Sequence, residues 1–163
     1  MTELPTELPT VRRATSADAP TLADFNSRMA AETEGKALDP DTVRRGVEAV
    51  FADGQKGFYL VAVRDAEIVG QLMVTKEWSD WRDGWFWWIQ SVYVREDVRG
   101  RGIFRTLFTA LEAEAERAGD AVGLRLYVER DNLRAQAVYA RLGMDGDAYE
   151  VREKMLTPPP VPG

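Results

Sequence analysis

The chain has 163 residues, 45% hydrophobic and 29% charged, with a formal net charge of −6 from 21 basic and 27 acidic side chains. That length suits one domain with a sizeable core, and the acidity disfavours a nucleic-acid partner, whose phosphates need a basic surface. A cationic substrate fits the charge better, although acidity also serves solubility. Cysteine and histidine are both absent, which removes a thiolate nucleophile, a disulfide framework, the usual general base and the commonest metal ligand; no metal is expected.

No apolar run approaches the ~18 residues of a membrane span, and the first residues lack a basic stretch followed by an apolar one. A cytoplasmic protein without membrane contact is therefore the expectation. Residues 1–9, which repeat Thr-Glu-Leu-Pro, read as a mobile segment, and the folded domain is expected over 10–156. A first strand covers Thr10 to Arg13. Ser16 caps a helix with Pro20 in its first turn and Leu22, Phe25, Asn26 and Met29 on one face. Asp39-Pro40 opens a second helix through Val43, Val47, Val50 and Phe51 that stops near Gly54. Phe58 to Val63 and Glu67 to Lys76 predict a hairpin around Arg64-Asp65-Ala66, and Trp81-Arg82-Asp83-Gly84 a second turn.

Residues 85–94, Trp-Phe-Trp-Trp-Ile-Gln-Ser-Val-Tyr-Val, form the central strand. Both of its faces are largely apolar, so it is expected to lie between helices. Trp78, Trp81, Trp85, Trp87 and Trp88 read as one cluster, in the core or on a dimer surface. Ile103, Leu107, Leu111 and Ala115, joined by Phe104 and Phe108, give the stripe of an amphipathic helix. Between strand and helix stands Arg99-Gly100-Arg101-Gly102. Backbone N–H groups, the helix dipole and the guanidinium groups of Arg99, Arg101 and Arg105 make this arrangement suited to phosphate. A dinucleotide fingerprint needs a glycine where Arg105 stands, and the Gly-Lys-Ser/Thr of a P-loop is absent. Further on, a strand over 121–129 precedes a helix capped by Asn132 and ended by Gly143. Residues 157–163, rich in proline, read as a mobile tail.

Arg99-Gly100-Arg101-Gly102-Ile103-Phe104 resembles the Arg/Gln-x-x-Gly-x-Gly/Ala pyrophosphate loop of the GNAT superfamily of N-acetyltransferases, with Phe104 in place of the small residue. Asn132-Leu133-Arg134-Ala135-Gln136-Ala137-Val138-Tyr139-Ala140-Arg141-Leu142-Gly143-Met144 is similar to that superfamily's Asn-x-x-Ala-x-x-x-Tyr-x-x-x-Gly-Phe pattern, with Met144 replacing the aromatic. The resemblance implies an α/β (α+β) fold: a mixed, mostly antiparallel sheet with splayed central strands and helices on both faces. It also implies acetyl-CoA as cosubstrate and transfer of the acetyl group to a primary amine.

On this resemblance Val92, Tyr93, Val94, Arg99, Gly100, Arg101, Gly102, Ile103, Phe104, Arg105, Asn132 and Tyr139 contact the cofactor. The backbone N–H of Val92 would steady the oxyanion, and Tyr139 would be the general acid that protonates the departing thiolate; its alternative is a half-buried core tyrosine. Without cysteine, direct attack by the amine is the simplest route. The segment between the first two helices lines the acceptor side in this superfamily, so Glu32 or Glu34 could pair with a substrate ammonium and Trp78 or Trp81 could wall the site. Without histidine the base would be a carboxylate, a tyrosine or a water chain, with Glu32, Glu34, Glu77 and Asp83 the candidate carboxylates and spacing choosing none of them. A small-molecule amine is the expected acceptor. Alternatives are a protein N-terminus or lysine, a non-catalytic acyl-CoA-binding regulatory module, and a structural protein that dimerises through its tryptophans. A homodimer is an expected assembly.

Overall fold

In the computed structural model, which describes residues 7–146 and 149–156, five strands form one sheet in the order β1-β2-β3-β4-β5. They are β1 (Thr10–Arg13), β2 (Phe58–Arg64), β3 (Glu67–Ser79), β4 (Gly84–Val94) and β5 (Ala121–Leu126). The first four pair antiparallel, and β5 alone runs parallel to its neighbour. Helices α1 (Ala19–Glu34) and α2 (Pro40–Ala52) lie between β1 and β2, α3 (Ile103–Ala118) between β4 and β5, and α4 (Leu133–Arg141) after β5. The chain divides into two compact units, Met1–Tyr127 and Val128–Gly163. The expected proline-rich tail and most of the expected N-terminal mobile segment lie outside the described residues.

Local chemistry accounts for these boundaries. Asp39 caps α2 by accepting from the Thr42 N–H at 2.9 Å, with Pro40 in the first turn. The β2–β3 hairpin turns through Asp65 (φ 51°) and Ala66 (φ 62°), the left-handed pair that a tight two-residue turn demands. On one face of the sheet α1 and α2 bury Leu22, Val47 and Val50 against Tyr59 and Val61. On the other, α3 lies so close to β3 that a methyl group built on Gly70 would stand 3.0 Å from Ile103 Cγ2.

Three expectations are corrected. The last strand ends at Leu126 rather than 129, because the Glu129 carbonyl closes a turn, accepting from the Asn132 N–H at 3.1 Å and from Gln136 Nε2 at 3.1 Å. The five tryptophans do not cluster. Trp78 meets Trp85 edge-on at 5.0 Å, Trp87 packs on Phe58 at 5.5 Å, Trp88 stacks on Tyr127 at 4.6 Å, and Trp81 is 87% exposed at a hairpin tip. Alternation sets Trp88 on the face opposite Trp85 and Trp87, while Trp81 stands in the turn outside the ladder. The third concerns Ser16: it opens a short 3-10 turn with Thr15 as its cap, and α1 proper begins at Ala19.

Candidate active site

Two features of β4 open its outer edge. Pairing with β5 runs from Trp85↔Ala121 to Ile89↔Leu126 and stops there, while β4 continues to Val94. On the β3 side, Met73↔Ser91 is followed by Val74↔Ile89, so Gln90 is the extra residue of a β-bulge. Beyond the bulge the ladder resumes, and the Arg95 N–H donates to the Val69 carbonyl at 2.9 Å. Bonded and non-bonded positions alternate in an antiparallel ladder. Val92 and Val94 therefore turn their N–H and C=O groups away from β3, towards the side where β5 has ended. Arg99 Nε reaches the Val94 carbonyl at 2.8 Å.

Tyr93, expected among the cofactor contacts, has the opposite orientation. Its backbone belongs to the β3 side, and its buried ring packs against Phe25 of α1 at 4.9 Å. The same helix reaches the sheet through Asn26, whose Oδ1 accepts from buried Gln71 Nε2 at 2.7 Å. Gln71 Oε1 has no hydrogen-bond partner among the described residues. This contact was legible in one respect only: Gln71 is the polar residue in an otherwise apolar run, at an inward position.

The glycine loop follows directly. Buried Val98 anchors it, Gly100 (φ 78°) and Gly102 (φ 77°) both take left-handed conformations, and α3 begins at Ile103 with no side-chain cap. A side chain at either glycine would be strained, and a Cβ on Gly100 would meet nothing within 4 Å, so the loop backbone stands open to solvent. Arg101 and Arg105 are exposed beside it. Ile103 is buried in the core and Phe104 half-buried, its ring 6.1 Å from Phe108. Of those two residues it is the backbone that faces the loop, and the bulk of Phe104 is absorbed by packing.

Arg99 has a different neighbourhood from Arg101. Its NH2 donates to Glu32 Oε2 at 2.6 Å, and its guanidinium lies 5.4 Å from the Tyr93 ring centroid. The Tyr93 hydroxyl donates to Glu32 Oε1 at 3.2 Å. The Arg99 hydrogen bond holds the Glu32 carboxyl below the usual range, and burial, with Glu32 beside it, pushes the Tyr93 phenol up. Sequence alone brought neither contact to light. Two of the other three candidate carboxylates are also engaged: Glu34 with Lys36 at 3.2 Å, and Glu77 with Arg125 at 2.9 Å. Asp83 sits in the β3–β4 turn at φ 50°. Trp78 is 49% exposed on the same hairpin as Trp81.

In the second unit, Asn132 Oδ1 accepts from the Ala135 N–H at 3.0 Å, the cap expected from its position. The helix ends in a Schellman motif. Gly143 has φ 84°, the Met144 N–H bonds the Tyr139 carbonyl at 3.0 Å, and the Gly143 N–H bonds the Ala140 carbonyl at 3.0 Å. Tyr139 is half-buried, and burial raises its phenol above the ordinary value.

The sequence model of the acetyltransferase (GNAT) family matches residues 23–144. A possible acetyltransferase from Clostridium difficile 630 is 44% identical, with 93% of this chain and 99% of that chain covered at a TM-score of 0.86. Two more distant structures share the fold alone. One is a ribosomal-protein-alanine N-acetyltransferase from Brucella melitensis biovar Abortus 2308, 18% identical, covering 90% and 98% at a TM-score of 0.71. The other is an aminoglycoside N-acetyltransferase, AAC(6')-Iy, solved in complex with CoA, 13% identical, covering 94% and 99% at a TM-score of 0.75. Among curated proteins none matches this sequence.

Proposed function

Because the chain belongs to the acetyltransferase (GNAT) family, we propose that it is an acetyl-CoA-dependent N-acetyltransferase acting on a primary amine of a small molecule. The observation that carries the reading is the opened edge of β4, running from the last β5 pairing at Ile89 to Val94 and leading straight into an uncapped, glycine-rich helix start. The fit to the cofactor is chemical: two glycines at positive φ, open space at Gly100 and two exposed arginines suit a pyrophosphate. The loop from Gly100 to Arg105 would hold the phosphates, with the backbone of Val92 and Val94 holding the pantetheine arm; bound acetyl-CoA supplies an activated acyl thioester.

The chain's own residues then have three tasks. The Val92 N–H, directed to the open edge, steadies negative charge developing on the acyl oxygen, an effect worth about 3 kcal/mol for one such donor. Holding amine and thioester together lowers the barrier further by removing the entropy of encounter. Tyr139, assigned by its place in the motif, keeps its proton at neutral pH, since burial only raises its pKa, and gives it to the departing thiolate. The amine arrives protonated. It gives up that proton to a carboxylate, a tyrosine or a water chain before attack, and three of the candidate carboxylates (Glu32, Glu34 and Glu77) are held in ion pairs.

The test is release of free thiol from acetyl-CoA across a panel of small amines, amino acids and N-terminal peptides. Turnover on small amines is expected, with Tyr139→Phe lowering kcat by about 100-fold. Turnover confined to peptides would move the acceptor to proteins, and binding of acetyl-CoA with no turnover would favour a regulatory module.

A further inference from the structure

Arg99 opens the glycine loop, yet its side chain turns back to the last turn of α1. Nε is bound to the Val94 carbonyl at 2.8 Å and NH2 to Glu32 Oε2 at 2.6 Å. A guanidinium recognises carboxylate and phosphate with the same planar fork of donors. An acidic group held against the phosphate loop both occupies that fork and repels the incoming anion.

Glu32 has a second anchor. Its Oε1 accepts from the Tyr93 hydroxyl at 3.2 Å, and Tyr93 belongs to the half of β4 that has left β5. A Glu32 released by Arg99 would thus stay beside the open edge of β4 as a carboxylate without its guanidinium partner. Arg28, the other cation that bears on Glu32, is shared between Asp24 at 2.9 Å and the Tyr93 hydroxyl, so it does not replace Arg99 as a direct partner of the carboxylate. Such a carboxylate suits an ammonium, and the net charge of −6 suits a cationic acceptor.

We propose, resting on the cofactor reading above, that Arg99 is exchanged between Glu32 and the cofactor's pyrophosphate. Cofactor binding thereby frees the Glu32 carboxylate to receive the ammonium of the acceptor. The two events are linked and the linkage is reciprocal: what weakens the Glu32–Arg99 pair strengthens cofactor binding, and the reverse. Glu32 is on this account the acceptor-selecting residue, and the contact with Arg99 keeps it masked until the cofactor is in place.

The test is a calorimetric titration of coenzyme A into the full chain, as wild type, Glu32→Gln, Arg99→Gln and the double variant. Steady-state kinetics follow on the amine with the highest turnover in the panel above. Glu32→Gln should bind coenzyme A about fivefold tighter, and the gain should vanish in the Arg99→Gln background. The same variant should raise KM for the amine while its melting temperature stays close to that of wild type. Glu32→Gln binding coenzyme A no tighter than a wild type that binds and turns over would overturn the exchange and leave the acetyltransferase reading intact. So would a gain that persists without Arg99, or an unchanged amine KM. A wild type that does not bind coenzyme A would overturn both.

Discussion

Gly70 is where the sheet lets α3 come close, and Gly70→Ala tests how tightly the loop that opens α3 is fixed. The added methyl would lie 3.0 Å from Ile103 Cγ2, 3.3 Å from the Tyr93 carbonyl oxygen and 3.4 Å from Leu107 Cδ1. Unstrained carbon pairs sit at about 3.5–4.0 Å, so the first turn of α3 must move by roughly half an ångström. Ile103 and Leu107 are 2% and 0% exposed and have no room to rotate away. Overpacking of this kind costs about 1–3 kcal/mol. The loss of glycine's unfolded-state freedom returns about 0.5–1 kcal/mol; mid-range values leave about 1 kcal/mol of net destabilisation, and the melting temperature should fall by about 2–4 °C. Ile103 directly follows Gly102, so the same movement should also weaken coenzyme A binding. Urea denaturation and calorimetry read both effects. A double-mutant cycle with Ile103→Ala, which removes the clashing Cγ2, should show favourable coupling. A Gly70→Ala protein as stable as wild type, with unchanged coenzyme A affinity, would refute the claim that α3 is seated on this glycine.

Ala66→Gly should raise the unfolding free energy by about 0.5–1 kcal/mol, read as a higher urea midpoint at constant m-value, because Ala66 holds φ 62° in the β2–β3 turn where glycine carries no side-chain penalty. Asn26→Ala should cost about 1–3 kcal/mol by stripping the Gln71 amide of its 2.7 Å partner inside the core; Gln71→Leu in that background should recover part of it. Stability should fall as pH drops below the ordinary carboxylate range. Asp18 is held low foremost by its Arg12 hydrogen bond, and Asp97 foremost by Arg95. Depressed groups stabilise above their unfolded pKa and lose that contribution as pH falls through the folded value. Urea midpoints between pH 7 and 3 measure the loss, and Asp18→Asn should shrink it.

Much of the fold was legible because it is local. Asn132, Gly143, Asp39-Pro40 and the left-handed glycines at 100 and 102 act within one turn of the backbone, and the sequence carries their reasons beside them. The stripe from Ile103 to Ala115 located α3 for the same reason. What stayed hidden was long-range or depended on register. Glu32 and Arg99 stand 67 positions apart, and no periodicity links them. The bulge at Gln90 resets the alternation of β4, so the face taken by Tyr93 could not be counted off from Trp85. The open edge of β4 depends on where β5 stops, and β5 was expected to run three residues too far. The sequence could propose candidate residues one motif at a time, while the engagement of the carboxylates in ion pairs had no sequence signal.

The most direct test of the central claim is a calorimetric titration of acetyl-CoA into wild type and Arg101→Glu. Arg101 is exposed between two left-handed glycines, and Asp97, the carboxylate on which its charge bears, is itself bound by Arg95 at 2.7 Å. A charge reversal at Arg101 removes an attraction to phosphate and adds a repulsion. The account predicts saturable one-to-one binding by wild type and at least about tenfold weaker binding by the variant. Equal affinities in the two proteins, or no binding by wild type, would contradict it.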